Sequence, residues 1–375
     1  MYDENAEDNT MHLLLSEIRR NPLLWLLVFV PAVFIVEHLR PDAPTLLFSL
    51  SILAIVPLAA LLSHATESVA VKTGDAVGGL LNATLGNLTE LVIALAALRA
   101  GEYMLVKASI AGAIVTNTLF MLGASFLLGG LKHHVQEFNR AGARLQAGQL
   151  FLATIALLLP SAVGAADSVK NAAFTEQLSV ALAIMLIAIY GLGLLFSLKT
   201  HRELFGSAEP HGGEEEAPWP IGLALGTLGC VTVLVALVSE VFVGSVQEAA
   251  LAMGMSKAFV GFIVVALVGA AAEMAAAFSG ARKNRLDLSV GIALGSATQI
   301  ALFVAPVLVL ASYVLGPTPM TLQFWPGAVL MVLIATVTAS FVANSGRSAW
   351  FVGVLVLAVY LTFAITLYLL PPRVP

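Results

Sequence analysis

Gly78-Gly79-Leu80-Leu81-Asn82-Ala83-Thr84-Leu85-Gly86-Asn87-Leu88-Thr89-Glu90-Leu91 sets a glutamate inside an otherwise apolar run over residues 75–99. A carboxyl group in the middle of such a run is expensive in hydrocarbon, about 2.5–3.5 kcal/mol on insertion scales. A second one stands in Gly269-Ala270-Ala271-Ala272-Glu273, inside the apolar run 258–281. In both runs a glycine lies eight residues before the one that precedes the glutamate, Gly78 before Gly86 and Gly261 before Gly269. In both, a helix rich in small residues follows, with an amide near its middle, Asn117 or Gln299. The preceding helices also correspond, Ala65-Thr66-Glu67 with Val238-Ser239-Glu240.

Spacing, residue type and order therefore describe an internal repeat. Around it the chain is built for lipid. Of its 375 residues 59% are hydrophobic and 11% are charged, and the mean hydropathy is +0.94. A soluble chain carries about 25% charged residues. Eleven segments are long and apolar enough to cross a bilayer, near 22–39, 43–63, 75–99, 103–130, 147–165, 177–197, 219–247, 258–281, 286–316, 322–343 and 347–370. Unbroken apolar runs satisfy their backbone only as helices, and the short alternating strands of a β-barrel are missing. The expected fold is an all-α membrane protein of eleven transmembrane helices, one leading helix followed by two inverted five-helix repeats. Five is odd, so the second repeat enters from the opposite face, the arrangement of many secondary transporters.

The parts are expected at 1–42 (cytoplasmic N-terminus and leading helix), 43–198 (first repeat), 199–218 (acidic cytoplasmic linker) and 219–375 (second repeat). The linker holds Glu214-Glu215-Glu216 and two prolines, Pro210 and Pro218, a composition that reads as a solvated connection. The first apolar run lacks a small-residue cleavage site and reads as a retained helix. With the N-terminus in the cytoplasm, 12 of the 18 Lys and Arg residues fall on the inner face, as the positive-inside rule requires. Short loops point to a prokaryotic cytoplasmic membrane.

Neither Glu90 nor Glu273 has a Lys or Arg within reach on its own segment, so each is expected to hold a proton or a cation. Two facing carboxylates neutralise one divalent cation, and two protons neutralise them equally well. Proton and cation then exclude one another at the same oxygens, and the pair titrates as a unit. Calcium takes six to eight oxygens, so further ligands are needed. Asn87 lies three residues before Glu90 and shares its helix face. Ser296 and Gln299 stand three apart on another helix, and Asn117 with Thr116 on a third. Gly86 and Gly269 are places where a helix can bend and open backbone carbonyls to a cavity. The competing reading of these polar residues is interhelical hydrogen bonding. Glu67 and Glu240, nearer helix ends, are candidates for a gate or proton relay. His64, His133 and His134 read as solvated loop histidines at an interface.

Other classes fit less well. Cys230 is the single cysteine, so neither a disulfide nor a thiolate cluster can form within the chain. The net charge of −5 does not suggest nucleic acid. The aspartates, Asp3, Asp8, Asp42, Asp75, Asp167 and Asp287, are not paired within a helix as an intramembrane enzyme would need. An inverted repeat favours alternating access over a pore, with the first two helices of each half moving against the rest. A homo-oligomer is left open.

The stretch 78–91 resembles the first signature repeat of the calcium/proton antiporters, within the calcium/cation antiporter superfamily. Asp287-Leu288-Ser289-Val290-Gly291-Ile292-Ala293-Leu294-Gly295-Ser296-Ala297-Thr298-Gln299-Ile300-Ala301 resembles the helix after the second signature. The likeness runs from about Ala65 to the end of the chain. It implies eleven helices, an acidic linker, extrusion of cytosolic calcium in exchange for protons, and no cofactor. It also implies Glu90 and Glu273 as the central ion-binding acids, with Asn87, Ser296 and Gln299 beside them. The second signature departs from the family pattern, which reads Gly-Asn-x-x-Glu and often then His. Here Ala270 replaces the amide and Met274 the imidazole, which opens the alternative of a sodium/calcium or broad-specificity cation antiporter.

Overall fold

A computed structural model describes residues 21–73, 75–164, 172–201 and 218–369. The expected N-terminal segment and most of the linker lie outside the described residues. Among the described residues nine helices are long and apolar enough to span a membrane: Pro22–Leu39 (α1), Pro44–Thr73 (α2), Tyr103–His133 (α5), Arg140–Ala162 (α6), Ala173–Thr200 (α7), Ile221–Ala252 (α8), Leu286–Leu315 (α11), Pro326–Ala343 (α12) and Trp350–Leu369 (α13). Two further spans are broken helices. Val77–Leu85 (α3) meets Leu88–Arg99 (α4) at 42°, and Lys257–Gly269 (α9) meets Ala271–Arg282 (α10) at 59°. Counting each bent pair as one span gives the expected eleven.

The packing carries the repeat. The first helices of the two halves, α2 and α8, lie against each other, as do the fourth helices, α6 and α12. The third helix of each half packs on the fifth of the other, α5 on α13 and α11 on α7. A two-fold relation between the halves demands this reciprocity. Small residues allow the closest approaches. A Cβ on Gly112 of α5 would land on the Phe262 backbone of α9, and one on Gly261 of α9 would lie 2.6 Å from Ala108 Cβ. One pairing is not helical. Val135–Glu137 (β1), after α5, joins Arg347–Ala349 (β2), before α13, as a two-stranded antiparallel ribbon.

Several helices outrun their apolar segments. The expected 43–63 continues to Thr73 because its polar end is two-faced: Ala65, Thr66, Ser68 and Val69 are buried, while Ser63 and Glu67 face open space. The expected 147–165 begins at Arg140, where the Asn139 side chain accepts from the Gly142 N–H at 3.0 Å, an N-cap. The expected 219–247 runs on to Ala252. His64 is a correction of kind. It is no loop residue but lies within α2, half-buried and edge-on to the Trp219 ring at 4.3 Å. α5, α9 and α11 each contain a wider π-helical turn, at Thr116–Met121, Val260–Val265 and Ile300–Val304. Two of these begin at or beside the candidate amides Asn117 and Gln299.

Candidate functional site

The two helix breaks meet at the centre of the molecule. Glycine and the residue after it interrupt each helix: Gly86 and Asn87 separate α3 from α4, and Gly269 and Ala270 lie at the junction of α9 and α10. Each glutamate is then in the first turn of the second half-helix, Glu90 after the N-cap residue Asn87 and Glu273 after Ala270. The positive end of a helix dipole favours a carboxylate there. The C-terminal ends of α3 and α9 arrive at the same place and offer the carbonyls that favour a cation.

The breaks interlock. A Cβ on Gly269 would lie 2.9 Å from Glu90 Cγ and 3.3 Å from its Oε1, so the Glu90 carboxyl rests on the glycine of the opposite repeat. Glu90, Glu273, Gly86 and Gly269 all line one small cavity of about 10 Å³, with Ala59, Leu62 and Ser63 of α2 as one wall. Glu90 Oε1 and Glu273 Oε2 are buried without hydrogen-bond partners among the described residues. Buried polar oxygens are almost always paired, so these two are arranged for a ligand or a proton.

A chain of amides and a hydroxyl flanks the acids. Asn117 Nδ2 donates to Ser296 Oγ, Ser296 Oγ donates to Asn87 Oδ1, and Asn87 Nδ2 donates to Gln299 Oε1, each at 2.7 Å. Three helices from both halves are tied in this way, α5, α11 and the break of α3–α4. These residues are hydrogen-bonded to one another, and Ser296 and Gln299 line the same cavity as Glu273. Thr116, beside Asn117, instead meets the Tyr360 hydroxyl of α13 at 3.4 Å. Among the described residues no group of three His, Cys, Asp or Glu side chains is placed to hold a metal ion.

A cavity of about 640 Å³ reaches Glu273 from one face. Ser296 and Gln299 line it with Glu273, as do Glu67, Asn139, Ser197 and Asp287. This is the face of the β1–β2 ribbon and of the C-terminal end of α7. At the other face the halves are clasped. Arg99 bonds Glu240 at 3.2 Å, Lys257 bonds Glu102 at 2.8 Å, and Tyr103 donates its hydroxyl hydrogen to the Thr318 carbonyl at 2.5 Å. Glu67 and Glu240, equivalent in the repeat, therefore lie at opposite faces, one lining the cavity and one in an exposed ion pair. Glu214-Glu215-Glu216 lie outside the described residues.

Asn82 and Tyr190 also line the cavity, beyond the residues expected from the sequence. Tyr190 donates its hydroxyl hydrogen to the Ala83 carbonyl at 2.5 Å, which holds α7 against α3. Asn82 stood within the quoted stretch, four residues before Gly86, so its polarity was the signal. Tyr190 had no sequence signal of its own.

The family model described as "Sodium/calcium exchanger protein" matches residues 43–199 and 223–369. The chain is 41% identical over 359 residues to a "Ca(2+)/H(+) antiporter" of Aphanothece halophytica, covering 92% of this chain and 96% of that one. It is 41% identical over 366 residues to a protein of the same description from Synechocystis sp., covering 94% and 98%. The solved structure of native YfkE superposes with a TM-score of 0.80 at 35% identity, over 93% of this chain and all of that chain. Matched through both repeats, and nearly end to end by its relatives, the chain belongs to the sodium/calcium exchanger protein family.

Proposed function

We propose that the protein exchanges cytosolic calcium for external protons by alternating access, with Glu90 and Glu273 as the shared binding groups. The supporting observation is the pair of half-buried glutamates at facing helix breaks, each with a buried oxygen left unpartnered. Two negative charges removed from water need two positive charges, and both a calcium ion and two protons supply them. Neither can leave without the other arriving, except at the cost of an uncompensated buried charge. That is the coupling. Asn87, Ser296, Gln299 and Asn117 supply neutral oxygens, and the backbone opened at Gly86 and Gly269 supplies carbonyls, towards a shell of six to eight. The relatives described as Ca(2+)/H(+) antiporters agree with this ion pair.

The proposed setting is a prokaryotic cytoplasmic membrane with the N-terminus inside, the chain dividing at 1–42, 43–198, 199–218 and 219–375. The 640 Å³ cavity then opens to the cytosol, where calcium is collected, with Glu67 as a relay carboxylate on that path and Glu240 as part of the outer closure. The first two helices of each half move to reverse access. Both carboxylates and the cavity come from one chain, so one copy suffices even where copies associate.

Proteoliposomes with the purified chain test this. A pH gradient, acid inside, is expected to drive calcium uptake that collapses when a protonophore dissipates the gradient. Uptake driven by an inward-acid gradient being absent, while an outward sodium gradient drives it, would replace protons by sodium as the counter-ion.

A further inference from the structure

Two tyrosines occupy matching places in the halves and are differently engaged. Phe120 on α5 and Phe303 on α11 follow Glu90 and Glu273 at the same interval. Each meets a tyrosine from the fifth helix of the other half. Tyr190 of α7 stacks on Phe303 with ring centres 5.4 Å apart, and Tyr360 of α13 lies against Phe120 at 5.2 Å. Tyr190 and Tyr360 are therefore counterparts. The Tyr190 hydroxyl donates to the Ala83 carbonyl of α3 at 2.5 Å. A carbonyl only accepts, which fixes the direction of this bond. Among the described residues the Tyr360 hydroxyl makes no bond to α9, and meets Thr116 Oγ1 at 3.4 Å.

The carbonyls at the two breaks differ in step with the tyrosines. Ala83 and Ala266 each stand three residues before the break glycine. In a continuous helix each carbonyl would accept from the N–H four residues on. The Ala270 N–H still reaches the Ala266 carbonyl at 3.2 Å. Among the described residues the Asn87 N–H makes no such bond to Ala83. Where the backbone has released its carbonyl, the tyrosine holds it. Tyr190 and Ala83 line the open cavity, and Tyr360 is buried. A second close approach keeps α3 on α7: a Cβ on Gly79 would lie 2.5 Å from Leu198 Cδ2.

Resting on the alternating-access reading above, we propose that Tyr190 and Tyr360 are positioning residues for the two broken helices, engaged in turn. With the cavity open on the ribbon face, Tyr190 holds α3 by the Ala83 carbonyl. With access reversed, the Asn87 N–H recovers Ala83 and Tyr360 takes the Ala266 carbonyl. The relation between the halves requires this second arrangement, because reversal exchanges the surroundings of equivalent residues. Each state keeps one tyrosine bond and one backbone bond, so neither leaves a carbonyl at the breaks without a donor. Neither tyrosine touches the ion. Each acts through the half-helix that leads into the break before Glu90 or Glu273.

The test is the rate at which a charged methanethiosulfonate modifies a single cysteine in the full-length protein, in calcium-free detergent and a Cys230→Ala background. Val265 and Ile93 are the counterparts, by the same repeat register, of Asn82 and Ala276, which line the open cavity. Both are buried here, so Val265→Cys and Ile93→Cys, made separately, report the reversed state. Tyr190→Phe keeps the ring and removes the donor. It is expected to raise either rate about fivefold, the usual worth of one neutral hydrogen bond. Tyr360→Phe is expected to lower the rates by a similar factor, and the double variant to restore them. A rise in both single variants, which general loosening would give, or unchanged rates, would overturn the proposal; if one reporter does not elute as a folded species, the other decides. Labelling needs no transported ion, so the exchange reading is judged apart from it. Acid-driven calcium uptake by the unaltered protein, with labelling unmoved by either tyrosine variant, would remove the tyrosine roles alone. Absent uptake would remove the ion reading whatever the labelling shows.

Discussion

At the scale of single residues, two carboxylates carry the account. Replacing Glu90 or Glu273 by glutamine keeps the size and removes the charge, so the protein should fold while exchange is lost. Flux in proteoliposomes, with gel filtration as the control for folding, checks this; undiminished flux in either variant would make that acid structural. The hydrogen-bonded chain through Asn117, Ser296, Asn87 and Gln299 was legible only in part. Helical spacing placed Asn87 with Glu90 and Ser296 with Gln299, because residues three apart share a face. Which amide would reach which oxygen depends on how three helices cross, and no local pattern encodes that. The alanine at 270 was legible as a departure from the first signature, where Asn87 stands.

At the scale of elements, the glycines at the breaks are fixed by close approach. Gly269→Ala would place a methyl 2.9 Å from Glu90 Cγ, closer than ordinary packing allows. It is expected to displace the carboxylate and weaken calcium binding, whereas Gly148→Ala in α6, where a Cβ would meet nothing within 4 Å, should bind as the unaltered protein does. Calcium titration of the pair of variants decides this. Gly112→Val should destabilise the contact of α5 with α9 by about 1–3 kcal/mol, the usual cost of overpacking, read as a lower thermal unfolding midpoint in detergent. The helices themselves were readable from hydropathy, and their ends were not. Thr66, Glu67 and Ser68 lie past the apolar segment 43–63 because they are polar. They continue α2 with Thr66 and Ser68 buried and Glu67 lining the cavity. The β1–β2 ribbon had no signal, since it pairs segments of the two halves, and neither did the π-helical turns.

At the scale of the whole molecule, one face is open and the other is clasped. The two ion pairs of the clasp are unequal. Arg99 and Glu240 are 63% and 54% exposed, and pairs of that kind contribute about 0.2–1 kcal/mol. Lys257 and Glu102 are 32% and 22% exposed and less screened by water. A membrane-impermeant thiol reagent should distinguish the faces in a background lacking Cys230. Cysteine at Glu67 should react from the cytoplasmic side and be protected there by calcium, and cysteine at Glu240 should react only from the outside. The inverted repeat made this asymmetry foreseeable, because equivalent residues of the two halves must point to opposite faces. Which face is open could not be read from the sequence, since both states use the same residues.

The central claim is that calcium and protons occupy the same two carboxyl groups in turn. It is tested most directly by measuring proton release as calcium is added to the detergent-purified protein in weak buffer. At a pH where the pair is protonated, about two protons should appear per calcium bound, and affinity should fall roughly a hundredfold per pH unit on acidification. Glu90→Gln and Glu273→Gln should each abolish or halve the release. Calcium binding that releases no protons, with an affinity that does not change between acid and neutral pH, would contradict it.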